Sequence, residues 1–223
     1  MKSIFAALSS LLLIGAAPVN WTQTATTAPN GAIVLGNPKA KVRLVEYLSY
    51  TCDHCAHFVV DSATPLKTGY IARGEVALEL RNAVRDQFDF AAALLARCGA
   101  PARTHGNSEA IFRAQPQWVE RIRNFYIANA PRLSQLPINQ QLVGTANGIG
   151  LTELMKARGY SAAQLNACLT SKRAQDQVLA MTKEAWEVRK ISGTPSFLVN
   201  GVAISGTKWA IVEPSIKAAL AAN

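Results

Sequence analysis

Between positions 50 and 58 the chain reads YTCDHCAHF, two cysteines two residues apart with histidines at 54 and 57. Such a pair can belong to a zinc site, a haem attachment, a structural crosslink or a reversible dithiol–disulfide, and its surroundings decide among them. Immediately before it stands KVRLVEYLS (41–49). Val42, Leu44, Glu46 and Leu48 alternate with Arg43, Val45 and Tyr47, and both sets are largely apolar. That pattern predicts a central strand buried on both faces. After Cys52 a helix is expected towards Tyr70, with Phe58, Val59, Ala63 and Leu66 on its apolar face. EVALELRNAV (75–84) then returns as a strand. The three pieces make a βαβ unit with the cysteine pair at its first strand-to-helix junction.

Working outward, AIVLG (32–36) reads as a short strand closed by Gly36-Asn37-Pro38. The threonine-rich stretch before it, within 18–31, is expected to be a flexible lead-in. Downstream, DFAAALLARC, PQWVERIRNFYI and SAAQLNACL read as helices separated by turns such as ANGIG. Another helix runs through QVLAMTKEAWEVRKI and stops at Gly193. SFLVNGVAIS reads as a hairpin turning at Asn200-Gly201. A last helix containing PSIKAALAA takes Pro214 in its first turn. The reading is thus an α/β domain built from 32–85 and 177–223, with a helical insertion at 86–176. His105 is assigned to a loop, and Arg121 and Arg123 to a solvated helix face.

Lys2 precedes an apolar run over 4–17, broken by Ser9, Ser10 and Gly15 and ended by Pro18. A basic start, a short apolar run and small residues read as a secretory signal over 1–17. The run is shorter than the ~20 residues a spanning helix needs, although an uncleaved anchor is the alternative. The expected compartment is the periplasm, where disulfides persist. The formal charge of +9 is dispersed along the chain, which argues against a nucleic-acid partner and for solubility or a weak pull towards anionic membrane.

A structural zinc site takes four ligands, usually from a second cysteine pair or spaced histidines. The chain has no second Cys-x-x-Cys, and His54 and His57 share the cysteines' own turn. Haem attachment takes a histidine directly after the second cysteine, where Ala56 stands. A redox pair needs an exposed cysteine with a stabilised thiolate, and a helix N-terminus supplies unpaired N–H groups and a favourable dipole. Cys52 is placed at that end, with Cys55 a turn deeper. His54 is a candidate donor or positive charge for the Cys52 sulfur, or else simply an exposed polar residue. Asp53 should disfavour the thiolate.

An apolar strand carrying an acid, Cys-x-x-Cys at a helix start and a later Gly-Thr-Pro before a hairpin together resemble the thioredoxin superfamily. The helical insertion and the x-His-Cys ending resemble its DsbA-type periplasmic thiol oxidases, over residue 32 to the end. The resemblance implies a thioredoxin fold with an inserted helical domain. It implies that Cys52 attacks, that Cys55 resolves, and that Glu46 is the buried acid exchanging a proton with Cys55. Glu46 also stands out without it, because an acid on a doubly apolar strand is costly without a task, unless that stretch meets water. Thr194-Pro195 matches the cis-proline loop that faces the cysteines and pairs with the substrate backbone. The intervening Asp-His departs from the Pro-His of the best-known oxidases, so a weaker oxidant is expected.

Cys98 and Cys168 fall on apolar helix faces, either as free buried thiols or as a pair. In an oxidising compartment a pair is favoured, and some DsbA-like proteins carry such a bridge, so a structural Cys98–Cys168 disulfide is expected. The expected function is an exported oxidase of thiol-containing polypeptides, needing no cofactor and no metal, and reoxidised by a DsbB-like membrane partner. Isomerase or reductase work with the same residues is the alternative. The short segment before Ala32 leaves no room for a dimerisation domain, which favours oxidase and monomer. A reading of another class is a copper- or zinc-binding protein, since soft thiolates suit Cu(I).

Overall fold

A computed structural model describes residues 19–222, so the expected signal segment lies outside the described residues. The CxxC motif sits where the βαβ reading places it. Strand β3 (Val42–Leu48) leads into helix α1 (Asp53–Leu66), which runs on through a π-helical turn (Lys67–Ile71) before β4 (Val76–Asn82) returns parallel to β3. Two short strands precede them, β1 (Ala25–Thr27) and β2 (Ile33–Leu35), and a hairpin follows much later, β5 (Ser196–Val199) and β6 (Val202–Ile204). The sheet order is β1-β2-β4-β3-β5-β6, with every pair antiparallel except β3 and β4. Asn200 and Gly201 turn the hairpin with φ of 48° and 85°, the left-handed pair that such two-residue turns demand.

Between β4 and β5 lies the helical insertion. It comprises α2 (Gln87–Ala96), α3 (Pro101–Arg113), α4 (Gln115–Leu133), α5 (Ile138–Gly148), α6 (Leu151–Ala157), α7 (Ala162–Thr170) and α8 (Lys172–Lys183). A second π-helical turn (Glu184–Val188) continues α8, so position 176 falls within one continuous helix. Helix α9 (Trp209–Ala221) closes the fold. Among the described residues no helix is long and apolar enough to cross a membrane.

Strand β3 is buried on both faces, as its doubly apolar sequence requires. Val42 and Leu44 pack with Phe58, Phe197, Val212 and Ile216 on the α1 and α9 side, where the Phe58 and Phe197 rings lie 4.4 Å apart. Truncating Phe58 to alanine there would cost about 3–5 kcal/mol in lost transfer energy and cavity formation. Val45 and Tyr47 face Ala83 and Ala185 on the other side. A third cluster, running from Leu48, Tyr50 and Cys55 into α2, α3, α5 and α8, welds the insertion to the floor of the βαβ unit. Cys98, just past α2, is bonded to Cys168 in α7, with Cα atoms 5.5 Å apart.

Three expectations need correction. The lead-in at 18–31 is not structureless: Ala25–Thr27 pairs with Ile33–Leu35 as an edge strand, where β-branched threonines fit the pleat. Pro214 lies at the sixth position of α9, not in its first turn, because the helix begins at Trp209 behind Lys208, which offers no side-chain cap. His105 belongs to α3 and is buried, because that helix buries a polar face. Asn107 is fully enclosed, and its Nδ2 donates to the carbonyls of Ala96 and Cys98 and to Tyr160 Oη.

Candidate active site

Cys52 is the N-cap of α1, in extended conformation, so the first-turn N–H groups of the helix face its side chain. Cys55 lies one turn on and is completely buried, and both are free thiols. The Thr194-Pro195 peptide is cis, and the Thr194 carbonyl lies 3.0 Å from Cys52 Sγ, accepting its hydrogen while Cys52 is a thiol. That carbonyl covers the sulfur, so Cys52 is only 3% exposed, against the expectation of an open thiol. Thr194 Oγ1 has no other partner among the described residues and is free to donate to the thiolate.

The two sulfurs are pushed in opposite directions. The Cys52 thiol is lowered to about 5, first by the hydrogen bond that Cys55 donates to it, then by the Thr194 side chain, the Cys55 backbone N–H and the charge of Arg85; burial opposes them. Cys55 is held well above the usual thiol range, first by burial and then by its bond to Cys52 and the nearby Glu46 charge. Glu46, on β3 and 2% exposed, is raised to about 8 by burial and then by the charge of Cys52. Near neutral pH the site therefore holds a Cys52 thiolate, a Cys55 thiol and a protonated Glu46. Pairs of titratable groups driven apart by their surroundings divide acid and base roles in this way.

Of the residues singled out in the sequence, Cys52, Cys55, Glu46, Thr194 and Pro195 converge. His54 does not. Its imidazole is exposed and makes no hydrogen bond or ion pair among the described residues. Asp53 turns its carboxylate to the His54 backbone N–H at 2.8 Å and is not among the groups acting on Cys52. On balance the Cys52 thiol is lowered by its other partners. No three His, Cys, Asp or Glu side chains converge as a metal-holding group among the described residues.

Three residues of the site were not singled out in the sequence. Gln115 Nε2, buried at the start of α4, donates to the carbonyls of Tyr50 and Cys52, each at 2.8 Å, and clamps the loop that carries the motif. Asp89 in α2 accepts from the Tyr50 and Arg85 backbone N–H groups, and burial raises it to about 7. Arg85 donates to Ser49 Oγ (2.9 Å) and Thr51 Oγ1 (3.1 Å), which carries its charge to the mouth of the site. Arg85 alone had a sequence signal. The register that pairs Val42 with Val76 and Leu48 with Asn82, carried past the strand ends, sets Arg85 beside Thr51.

Comparison with known proteins agrees with this geometry. A family model described as thioredoxin matches residues 28–218. A crystal structure of a protein-disulfide isomerase from Novosphingobium aromaticivorans is 38% identical with a TM-score of 0.77, covering 84% of this chain and 96% of that one. A Rickettsia typhi protein provisionally named a protein-disulfide oxidoreductase is 30% identical over 174 residues, 78% of this chain. The chain spans little more than half, 56%, of that relative's length. Wolbachia pipientis alpha-DsbA1, 22% identical with a TM-score of 0.69 over 87% of this chain and 93% of its own, shares the fold with its insertion. The helical insertion between β4 and β5 is thus a feature of fold common to this chain and the Wolbachia protein, and by the family match across 28–218 the chain belongs to the thioredoxin family.

Proposed function

We propose that the chain is a protein-disulfide oxidoreductase working in the oxidising direction, donating a Cys52–Cys55 disulfide to thiol-containing polypeptides. The observation that carries this is the opposed poise of the two sulfurs, a lowered Cys52 and a raised Cys55 beside a protonated Glu46. A substrate thiolate attacks Cys52 Sγ, the Cys52–Cys55 bond breaks, and Cys55 leaves as a thiolate that takes the Glu46 proton. A second substrate thiolate attacks the substrate sulfur of the mixed disulfide and expels Cys52. The substrate loses two electrons, and the pair gains them. Cys52 is the better leaving group because its thiolate is stabilised, which drives exchange towards the substrate disulfide.

The cis Thr194-Pro195 loop, beside Cys52, is the surface that would hold the substrate backbone. Work in an exported, oxidising compartment suits the Cys98–Cys168 bridge, since such bonds persist there. A monomer reoxidised by a DsbB-like membrane partner completes the reading. A second reading, isomerase, is favoured by one observation: the 38% identical Novosphingobium structure carries that name.

The test uses the oxidised protein and a reduced, unfolded polypeptide with several cysteines. Disulfides should appear in the polypeptide at a rate abolished by C52S, while C55A should accumulate a mixed disulfide through Cys52. Polypeptide oxidation undiminished in C52S would reject the reading. Scrambled substrate rescued faster than reduced substrate is oxidised would favour the isomerase.

A further inference from the structure

Behind Glu46 lies a cavity of about 40 Å³ between the sheet, α1 and α3. Its polar lining is Glu46, Ser62, Lys67, His105, Ser108 and Glu109, and the remainder is apolar. Space for a water centre takes about 10–15 Å³, so the cavity has room for two or more waters. Two of the residues that line it carry unpaired polar atoms. Glu46 Oε1 has no hydrogen-bond partner, and neither His105 Nδ1 nor Nε2 has one, although these residues are only 2% and 5% exposed. Buried polar atoms are rarely left unpaired, and several around one small cavity point to bound water as their shared partner.

We propose that water in this cavity bridges Glu46 to His105, and that His105 is a positioning residue through which the Glu46 proton exchanges with solvent. The inference rests on the Glu46 role given under the proposed function. The outer end of the path is the Lys67 Nζ–Glu109 Oε1 pair, 3.4 Å apart and about one-third exposed. Between the ends stands Ser108, whose Oγ accepts from Tyr50 Oη at 3.1 Å and so keeps its own hydrogen to donate. Burial, followed by the charge of Lys67, lowers His105 to about 3, so the ring is neutral. A neutral imidazole donates from one nitrogen and accepts at the other, and so can pass a proton along without storing charge. The other titratable groups facing the path are Cys52 and Cys55 from α1 and Tyr50 after β3, the last held protonated by burial.

The step balances without any redox partner. When Cys55 leaves as a thiolate, Glu46 gives it a proton and becomes a carboxylate. Cavity water then gives a proton to Glu46 and takes one from a His105 nitrogen. The other His105 nitrogen takes one from water at the Lys67–Glu109 end. One proton has entered from solvent, and the reverse occurs on oxidation.

The test reacts the reduced protein with oxidised glutathione and follows two steps by acid quench and mass spectrometry. The first is attack by Cys52 to form the mixed disulfide; the second is resolution by Cys55, which must shed its proton. H105L should slow resolution about tenfold or more and leave the first step unchanged. H105Q, which keeps a polar group but cannot exchange its protons in the same way, should also resolve slowly. E46Q should be slow, and E46Q/H105L no slower than E46Q. The pH at which resolution accelerates should move upward in H105L, because Glu46 loses its water-bridged donor. Wild-type resolution in folded H105L or H105Q beside a slow E46Q would overturn the role of His105 and spare that of Glu46. So would effects of E46Q and H105L that multiply in full. E46Q resolving as fast as wild type would overturn both.

Discussion

Replacing Glu46 with glutamine should make the protein more stable and less active, and the gain should depend on pH. Burial raises the folded-state value to about 8 from an ordinary 4.5. Between those values the folded chain holds a proton that the unfolded chain has released, so stability falls as pH rises through this window. The sign is opposite to that of a salt-bridged carboxylate. At pH 7 the folded group is protonated and the unfolded one ionised. The two and a half pH units from 4.5 to 7, at about 1.36 kcal/mol each, come to about 3 kcal/mol. Glutamine matches the protonated acid in size and neutrality, so the difference should nearly vanish at pH 4.5 and level off above about 8. The assay is denaturant unfolding in a C52S/C55S background, which keeps the Cys98–Cys168 bridge and removes the Cys52 charge. Burial alone then acts, and a gain of about 2–3 kcal/mol is expected at pH 7, or about 5–10 °C in Tm. E46Q no more stable than its parent at pH 7, or a gain independent of pH, would refute the reasoning.

Removing the bridge as C98S/C168S should cost up to about 4 kcal/mol in unfolding experiments, because a loop of some 70 residues is no longer closed, while the potential of Cys52–Cys55 stays unchanged. Arg85→Met should move the Cys52 thiol upward by less than about one pH unit, read from thiolate absorbance, because Arg85 is the weakest of the helping groups. Gln115→Leu leaves the buried Tyr50 and Cys52 carbonyls short of a donor and should cost about 1–3 kcal/mol by denaturant unfolding.

What the sequence made legible was local or carried by a pattern. The doubly apolar strand predicted β3 at the centre of the sheet, and Asn200-Gly201 predicted the hairpin. Cys52 and Cys55 stood out by their spacing at a helix start and Glu46 as an acid on a doubly apolar strand, whereas Thr194-Pro195 was marked only by the family resemblance. Gln115 and Asp89 were invisible because each reaches Tyr50 from far along the chain, 65 and 39 residues away, with nothing nearby to mark the partner. His105 was misread because α3 buries Thr104, His105, Asn107 and Ser108, and a polar buried face defeats any search for apolar periodicity. His54 stood out by its place between the cysteines, and its exposed side chain lies in the first turn of α1.

The central claim is that the paired sulfurs are poised to oxidise, and their reduction potential tests it most directly. The protein is equilibrated against glutathione buffers at pH 7, with C98S/C168S as a control for the second bridge. Thioredoxin, with a thiol near 7, lies at about −270 mV, and DsbA, with one near 3.5, at about −120 mV. A Cys52 value of about 5 interpolates to about −180 mV. A potential in that region supports disulfide donation. A potential near about −270 mV would contradict the account and make the chain a reductant that another protein must recharge.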